Sequence, residues 1–166
     1  MKKYWIIPAA VIFLAAAGSF FFLSGRSEEA RIKKVLQTLC QMATKRPGDN
    51  AAAAALKISR TDRIFAGTFT ISISNGMFNG QYNPTQMTSE LARYRNVFNE
   101  VEVEAQDIEI SFPQENHAQA LFTGVLNGST RNGKSLSEAR DVECSFIKTD
   151  KGWFITRIVL REIMEK

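Results

Sequence analysis

The sequence predicts an α+β fold in which helices pack on one face of a curved, cone-shaped antiparallel sheet, behind an N-terminal transmembrane helix. Three observations predict it. An uncharged apolar run fills residues 4–23, helical apolar spacing dominates residues 27–99, and period-two alternation dominates from residue 101 onward. We therefore divide the chain into a membrane anchor or signal peptide, residues 1–25, and an α+β domain, residues 26–166.

The N-terminal run has the length of a membrane-spanning helix. Tyr4 to Leu23 comprises 20 residues without a charge, and at ~1.5 Å per residue this helix spans a hydrocarbon core of ~30 Å. A cleaved signal peptide, with Ala15-Ala16-Ala17 as its cleavage site, is the alternative. Lys2 and Lys3 favour a cytoplasmic N-terminus. We expect a bacterial single-pass inner (plasma) membrane protein whose domain is periplasmic or extracellular.

Charge excludes some classes of function. The net charge is +4, with nine basic and four acidic residues from Arg26 to Arg63, and two basic and seven acidic residues from Glu90 to Glu115. Either the basic segment faces anionic headgroups, or both segments are solvated faces of opposite sign. No basic patch alternates with aromatic residues, so we expect no nucleic-acid partner.

The two cysteines leave their redox state open. Cys40 and Cys144 both lie in apolar patterns, which favours buried thiols that act as small hydrophobes. A disulfide is the alternative in an oxidising compartment. Two isolated cysteines and one histidine do not form a metal ligand set, so we expect no metal and no cofactor.

Three helices are predicted in the first part of the domain. They run over residues 27–44, 51–60 and 86–99. Asp49-Asn50 is the expected cap of the second helix, whose alanine run has strong helix propensity. Thr85 is the expected cap of the third, in which Tyr94, Arg95 and Phe98 share one side.

Strands are predicted over residues 68–74, 101–112, 117–126, 140–149 and 153–163. A tight turn at Asn75-Gly76 leads to a short return strand that includes Tyr82. In the long strand the alternation slips by one residue between Ala105 and Ile108, which indicates a β-bulge. Asn127-Gly128 and Asp150-Lys151-Gly152 are expected turns, and the last four strands are expected to form an antiparallel meander.

The final strand carries large apolar side chains on both faces. Trp153 and Ile155 are predicted on one face, and Phe154, Ile158 and Leu160 on the other. One face must cover the helices, which leaves the other face free for a partner sheet. The sequence therefore predicts a homodimer formed through the sheet.

The second half of the chain resembles the nuclear transport factor 2-like, or SnoaL-like, superfamily. Val101 to Phe112 followed by Ala118 to Gly124 is similar to its apolar strand, turn and A-x-v-x-g passage. Lys148 to Trp153 reads K-x-D-x-G-W, which is similar to its closing hairpin. The resemblance covers about residues 27–162 and implies the cone-shaped, cystatin-like fold.

The resemblance leaves the activity open, because this superfamily includes isomerases, dehydratases, epoxide hydrolases, small-ligand carriers and association modules. Its enzymes that are similar to ketosteroid isomerase use a pocket tyrosine on the first helix and carboxylic acids deeper in the cone. Here Thr38 to Met42 includes no tyrosine or histidine, and Ile64 to Thr68 includes no acid. Asp62 is the nearest carboxylate and suits a capping or solvated position. We therefore do not expect catalysis.

Few side chains remain as site candidates. Tyr82, Tyr94 and Phe98 either line the mouth of a pocket or pack in the core. Asp107 and Glu109 flank the bulge, either as paired acids or as solvated strand positions. No catalytic residue is assigned.

The sequence thus favours a membrane-anchored, extracytoplasmic binding or assembly module, held in the bilayer through residues 4–23. Membrane-tethered members of the superfamily that it resembles include scaffold subunits of secretion machines, so an envelope protein is a further expected partner. The alternative is a carrier of small hydrophobic ligands or a cone-pocket enzyme of the isomerase or dehydratase kind.

Overall fold

The structure is a computed structural model that describes residues 27–74 and 78–161. The predicted membrane helix over residues 4–23 and the predicted turn at Asn75-Gly76 lie outside the described residues. Within the described ranges, no helix is long and apolar enough to cross a membrane. The chain divides into two units between Lys33 and Lys34, and the whole sheet belongs to the second.

All the described helices precede the last four strands. The helices are α1 (27–43), α2 (Ala51–Ile58), α3 (Thr61–Ile64) and α4 (Pro84–Val97). The strands are β1 (Phe65–Ile73), β2 (Phe78–Tyr82), β3 (Phe98–Gln114), β4 (His117–Thr130), β5 (Ser135–Thr149) and β6 (Gly152–Arg161). They form one sheet in the order β2-β1-β6-β5-β4-β3, and α3 and α4 pack against it.

The sheet is mixed, so the prediction of an entirely antiparallel sheet is wrong at one pairing. β1 runs parallel to β6, with Ile71 opposite Ile158 and Ile73 opposite Leu160. The other neighbouring strands are antiparallel. Alternation along a strand shows which residues share a face, but it does not show which strand lies alongside. The α+β class, with helices on a curved sheet, is confirmed.

The helix α4 begins one residue before the predicted cap. Asn83, rather than Thr85, is the N-cap, because its side chain accepts a hydrogen bond from the Gln86 amide at 2.9 Å. The Gln86 side chain in turn accepts a bond from the Asn83 amide at 3.0 Å, which completes a capping box. The helix ends at Val97, since Phe98 is extended and begins β3.

Between α1 and β1, the observed elements begin or end at other residues than predicted, and one helix is added. α1 stops before Thr44, whose hydroxyl accepts a hydrogen bond from the Val103 amide at 3.1 Å. α2 is capped by Asn50 as predicted, but ends at Ile58. The short helix α3 was not predicted, and β1 starts at Phe65 rather than Thr68 because Phe65 is buried in the core.

The β-bulge in β3 is confirmed. The register against β4 shifts between Gln106 and Glu109, and Asp107 has a positive φ of 52°. The bulge keeps Val103 and Ile110 on the same face, although their positions differ by an odd number and a regular strand would place them on opposite faces.

The prediction of a turn at Asn127-Gly128 is wrong. β4 continues to Thr130, the chain reverses over residues 131–134, and β5 begins at Ser135 instead of Arg140. A Cβ atom on residue 128 would lie 2.5 Å from the Glu100 carbonyl oxygen. The glycine therefore allows β3 and β4 to approach each other closely here, and it does not mark a reversal of the chain.

The two faces of the sheet differ in burial. The covered face packs beneath the helices and holds most of the core, including Phe65, Phe69, Val101, Ala118, Ala120, Val142, Cys144, Phe146, Trp153 and Ile155. The open face lies on the other side, where Leu121 pairs with Glu143 and Glu143 with Val159. No described helix packs on the open face.

Candidate functional site

The covered face is lined with aromatic rings at the β1–β2 end. Phe65 stacks on Phe69 with ring centroids 4.2 Å apart, and Phe69 stacks on Tyr82 at 6.2 Å. Tyr82 also contacts Phe78 on its own strand, at 6.5 Å. Tyr82, one of the predicted pocket residues, is therefore a half-buried member of this aromatic row.

The other two predicted pocket residues contact each other. Tyr94 and Phe98 have ring centroids 4.9 Å apart and rings tilted by 53°. The Tyr94 hydroxyl oxygen is buried without a hydrogen-bond partner in the described part of the chain. Burial raises the pKa of Tyr94 to about 12. No described ring contact joins Tyr82 to either residue, so the three candidates do not form one cluster.

A buried arginine was missed as a site residue by the sequence analysis. Arg95 is 4% exposed, and its guanidinium donates to the carbonyl oxygens of Met42, at 3.0 Å, and of Thr44. It also donates to Asp49 Oδ2 at 2.8 Å. The available signal was an arginine on the same side of the predicted helix as Phe98, since a charge on that side requires partners.

The carboxylate of Asp49 joins two cations. Lys57 Nζ lies 2.7 Å from the oxygen that also accepts from Arg95. The hydrogen bond from Lys57, with smaller contributions from the Arg46 amide and Arg95, holds the pKa of Asp49 down at about 2 despite its desolvation. These contacts fix the chain between α1 and α2.

Lys45 closes the C-terminal end of α4. Its ammonium donates to the carbonyl oxygens of Arg95, at 3.2 Å, and Phe98, at 2.6 Å. Its backbone forms an isolated antiparallel bridge with Val101. Arg95 and Lys45 both use their charges on backbone oxygens and on Asp49, so the geometry of this cluster is that of a structural connection between α1, α4 and β3.

The acidic candidates are exposed. Asp107 and Glu109 line a shallow groove of about 330 Å³ on the sheet, together with Asp141 and Arg161. Within the described ranges the buried polar side chains belong to Thr61 and Arg95, so no buried carboxylate or imidazole is present there.

The cysteines are free thiols in the structure. Cys144 is fully buried on the covered face, and burial raises its pKa, with a further increase from nearby Cys40. Burial, followed by the charge of Glu104, raises the pKa of Cys40 to about 11. A raised pKa disfavours the thiolate, which is the form that reacts or binds metals. Within the described ranges, no cluster of His, Cys, Asp and Glu could hold a metal ion.

The open face has a second groove, of about 440 Å³, at its β1–β2–β6 side. Val159 lies between Arg157 and Arg161 on β6, and Ser72 and Asn79 also line the groove. We call this the arginine groove. Across β5 from it, Leu121 is 45% exposed in the middle of the face.

No protein-family model matches the sequence, and no curated protein matches it. Solved structures do match. A nuclear transport factor 2-like superfamily protein from Salmonella enterica serovar Typhimurium is 11% identical with a TM-score of 0.67, over 86% of this chain and 95% of that chain. A protein with a cystatin-like fold from Novosphingobium aromaticivorans is 11% identical with a TM-score of 0.60, over 100% and 94%.

A third solved structure belongs to an enzyme. The hexachlorocyclohexane dehydrochlorinase from Novosphingobium barchaimii is 11% identical with a TM-score of 0.65, over 86% of this chain and 90% of that chain. At these identities the matches show the fold alone. The domain thus has the nuclear transport factor 2-like, cystatin-like fold that the sequence resemblance implied.

Proposed function

We propose that this protein is a membrane-anchored assembly module whose domain forms a homodimer through the open face of the sheet. The observation that carries this proposal is the exposure of apolar side chains on that face. Leu121 is 45% exposed, and Val125, Ile147 and Phe154 are half-buried on the same side of the sheet.

Glu109 and Glu143 flank Leu121, and Val125 and Ile147 lie four residues from its level on either side, so the apolar side chains are spread along the face. A sheet face that exposes such side chains and is not covered by a described helix suits contact with another protein surface.

Sheet-to-sheet contact suits the geometry of these side chains. Two sheets pack ~10 Å apart with their strands within about 30° of each other, and their side chains interdigitate. The polar side chains of this face, such as Asn127 and Ser137, suit the rim of an interface. A second copy of the same face supplies apolar and polar side chains of the same kinds.

The test compares two exposed leucines in the full chain, purified in detergent and examined by sedimentation equilibrium. We expect the unmodified chain to be a dimer and Leu121→Arg to be monomeric, because the new charge loses its hydration at the interface. Leu56→Arg is the matched control, since Leu56 is 66% exposed on α2; it should stay dimeric. An unmodified chain that remains monomeric at high micromolar concentration would contradict the proposal.

The membrane anchor rests on the uncharged run from Tyr4 to Leu23. The full chain, expressed in bacterial membranes, should therefore resist extraction with alkaline carbonate. Phe13→Arg combined with Leu14→Arg places two charges near the bilayer centre and should move the protein into the soluble fraction. Release of the unmodified chain by carbonate would exclude an integral anchor.

Binding of a small hydrophobic ligand under the helices is the second candidate function. The buried, unpartnered hydroxyl of Tyr94 favours it, because a ligand with a hydrogen-bond acceptor would satisfy that group. In a thermal-shift screen of hydrophobic ketones and alcohols, a true ligand should raise the melting temperature of the unmodified chain more than that of Tyr94→Phe. Equal shifts for both proteins would place the ligand elsewhere.

A further inference from the structure

The arginine groove combines two cations with neutral hydrogen-bonding side chains. Arg157 and Arg161 line it from β6, with Val159 between them, while Ser72 lines it from β1 and Asn79 from β2. None of the described residues that line it is acidic. Its volume of about 440 Å³ lies in the range of small-molecule sites. The groove therefore offers both room and positive charge to a small anion.

Arg157 is the unpaired cation of this groove. Its side chain is exposed, and neither a hydrogen bond nor an ion pair joins it to a described residue. Its register neighbours, Thr70 on β1 and Ser145 on β5, carry no charge. Arg161 differs, because it forms an ion pair with Glu143. Arg157 thus keeps its guanidinium N–H donors for a molecule outside the chain.

Strand register places neutral donors between the two arginines. Ser72 pairs with Val159 on β6 and with Asn79 on β2, so these three side chains form one row on the open face. Arg157 and Arg161 lie two positions to either side of this row, ~7 Å away along the strand at ~3.3 Å per residue. Both arginine side chains are therefore long enough to contact one anion above the row.

The donor set suits a phosphate monoester better than a carboxylate. A guanidinium binds two oxygens of either group through parallel hydrogen bonds. A carboxylate has no further oxygen, whereas a phosphate monoester has a third terminal oxygen, which the Ser72 hydroxyl or the Asn79 amide can bind. The second negative charge of the phosphate also matches the second arginine.

We propose that the arginine groove binds a phosphate monoester group, held by Arg157 with Arg161, Ser72 and Asn79 as further donors. This site goes beyond the proposed assembly, and its residues differ from the apolar side chains on which that assembly rests. The same chemical group is present in small phosphorylated metabolites and in the headgroup of phosphatidate.

The test is calorimetric titration of the full chain, in a non-ionic detergent, with glycerol 3-phosphate. Arg157→Gln should weaken binding at least about tenfold, because a bidentate charged contact is lost. Asn79→Asp is nearly isosteric and should cause a similar loss, because its carboxylate repels the ligand and competes for Arg157. Arg131→Gln is the matched control, since Arg131 is an exposed cation in the turn between β4 and β5 and does not line the groove. It should change the affinity less than about twofold.

A further variant should bind more tightly. Glu143→Gln removes the carboxylate that forms an ion pair with Arg161, so that Arg161 becomes free for the ligand. We expect the affinity for glycerol 3-phosphate to rise about threefold. Structural damage does not produce tighter binding, so this variant separates an electrostatic site from a loss of folding.

Dihexanoyl phosphatidate carries the same phosphate group on two short acyl chains and distinguishes the two sources. Tighter binding than that of glycerol 3-phosphate, lost in Arg157→Gln, would identify a lipid headgroup; equal affinities would identify a free metabolite, and both results support the site. Failure of both probes to bind the unmodified chain more tightly than about 1 mM would overturn it. Equal losses in Arg157→Gln and Arg131→Gln would overturn it as well. Phosphate binding by an unmodified chain that sediments as a monomer would support the site and contradict only the dimer.

Discussion

The two faces of this sheet are formed by the same strands, because successive side chains along each strand point to opposite faces. Ala120 and Cys144 are fully buried on the covered face, and their sequence neighbours Leu121 and Glu143 point to the open face. The first pair contributes to the core, where packing decides the folding free energy. The second pair lies on the side that no described helix covers. One alternating sequence thus supplies both a buried core face and a face that no described helix covers.

The difference in burial between the two faces predicts that the largest loss of stability follows substitution of a core aromatic residue. Phe146 is buried on the covered face, so Phe146→Ala should lower the free energy of unfolding by about 3–5 kcal/mol through lost burial and a cavity. Leu121→Ala on the open face should cost less than about 1 kcal/mol in the monomer. Urea unfolding measures both, at concentrations where the protein is monomeric. Similar losses for the two variants would contradict the division between the faces.

A glycine on the covered side should give the next largest effect. A Cβ on Gly128 would clash with the backbone of Glu100 and Val101, at 2.5 and 2.9 Å. Gly128→Ala should therefore lower the free energy of unfolding by about 1–3 kcal/mol. Gly67→Ala is the matched control, because a Cβ there meets no atom within 4 Å. A fully stable Gly128→Ala variant would show that β3 and β4 can separate without cost.

Acid should weaken the connection around Asp49. Its pKa is lowered from 3.8 to about 2 in the folded chain, so the carboxylate stabilises the fold above pH 4, and this contribution is lost as the pH falls through 2. We expect Asp49→Asn to lose about 1–2 kcal/mol at neutral pH and to show a flatter stability profile below pH 4. Asp150→Asn, in an exposed turn, is the control. Parallel profiles for Asp49→Asn and the unmodified chain would exclude this role.

The smallest predicted effect concerns the rates at which the two cysteines react with a thiol reagent. Cys144 is fully buried and Cys40 is half-buried, and burial raises the pKa of both thiols. At pH 8 a thiol reagent should label Cys40 slowly and Cys144 only as the chain unfolds. Mass spectrometry of the single variants Cys40→Ala and Cys144→Ala measures the two rates separately. Faster labelling of Cys144 would mean that the covered face opens locally.

The fold was largely predictable because its signals are local. The slip between Ala105 and Ile108 predicted the bulge. In β6 the predicted placement of Ile158 and Leu160 on the face of Phe154 is wrong, because the register shifts between Ser145 and Phe146 and both residues lie on the covered face. The parallel pairing of β1 with β6 was not predictable, since it depends on contacts between distant segments. Asn127-Gly128 was misread because a glycine that permits close strand approach has the same sequence pattern as a turn.

The site was less predictable than the fold. Tyr94 and Phe98, predicted either to line a pocket mouth or to pack in the core, contact each other, whereas Arg95 became informative only when its partners around Asp49 were located. The positions of the charges on the open face also depend on strand order. Arg157 and Glu109 are distant in sequence, and only the register places them on the same face of the sheet.

Photo-crosslinking in intact membranes tests the central claim, that the open face joins two copies of this chain, most directly. A benzophenone side chain at position 121 of the full chain should give a crosslinked homodimer, identified by its mass, while the same group at position 56 on α2 should not. A homodimer crosslinked from position 56 but not from position 121, or crosslinks from position 121 only to lipid or to another protein, would contradict the account.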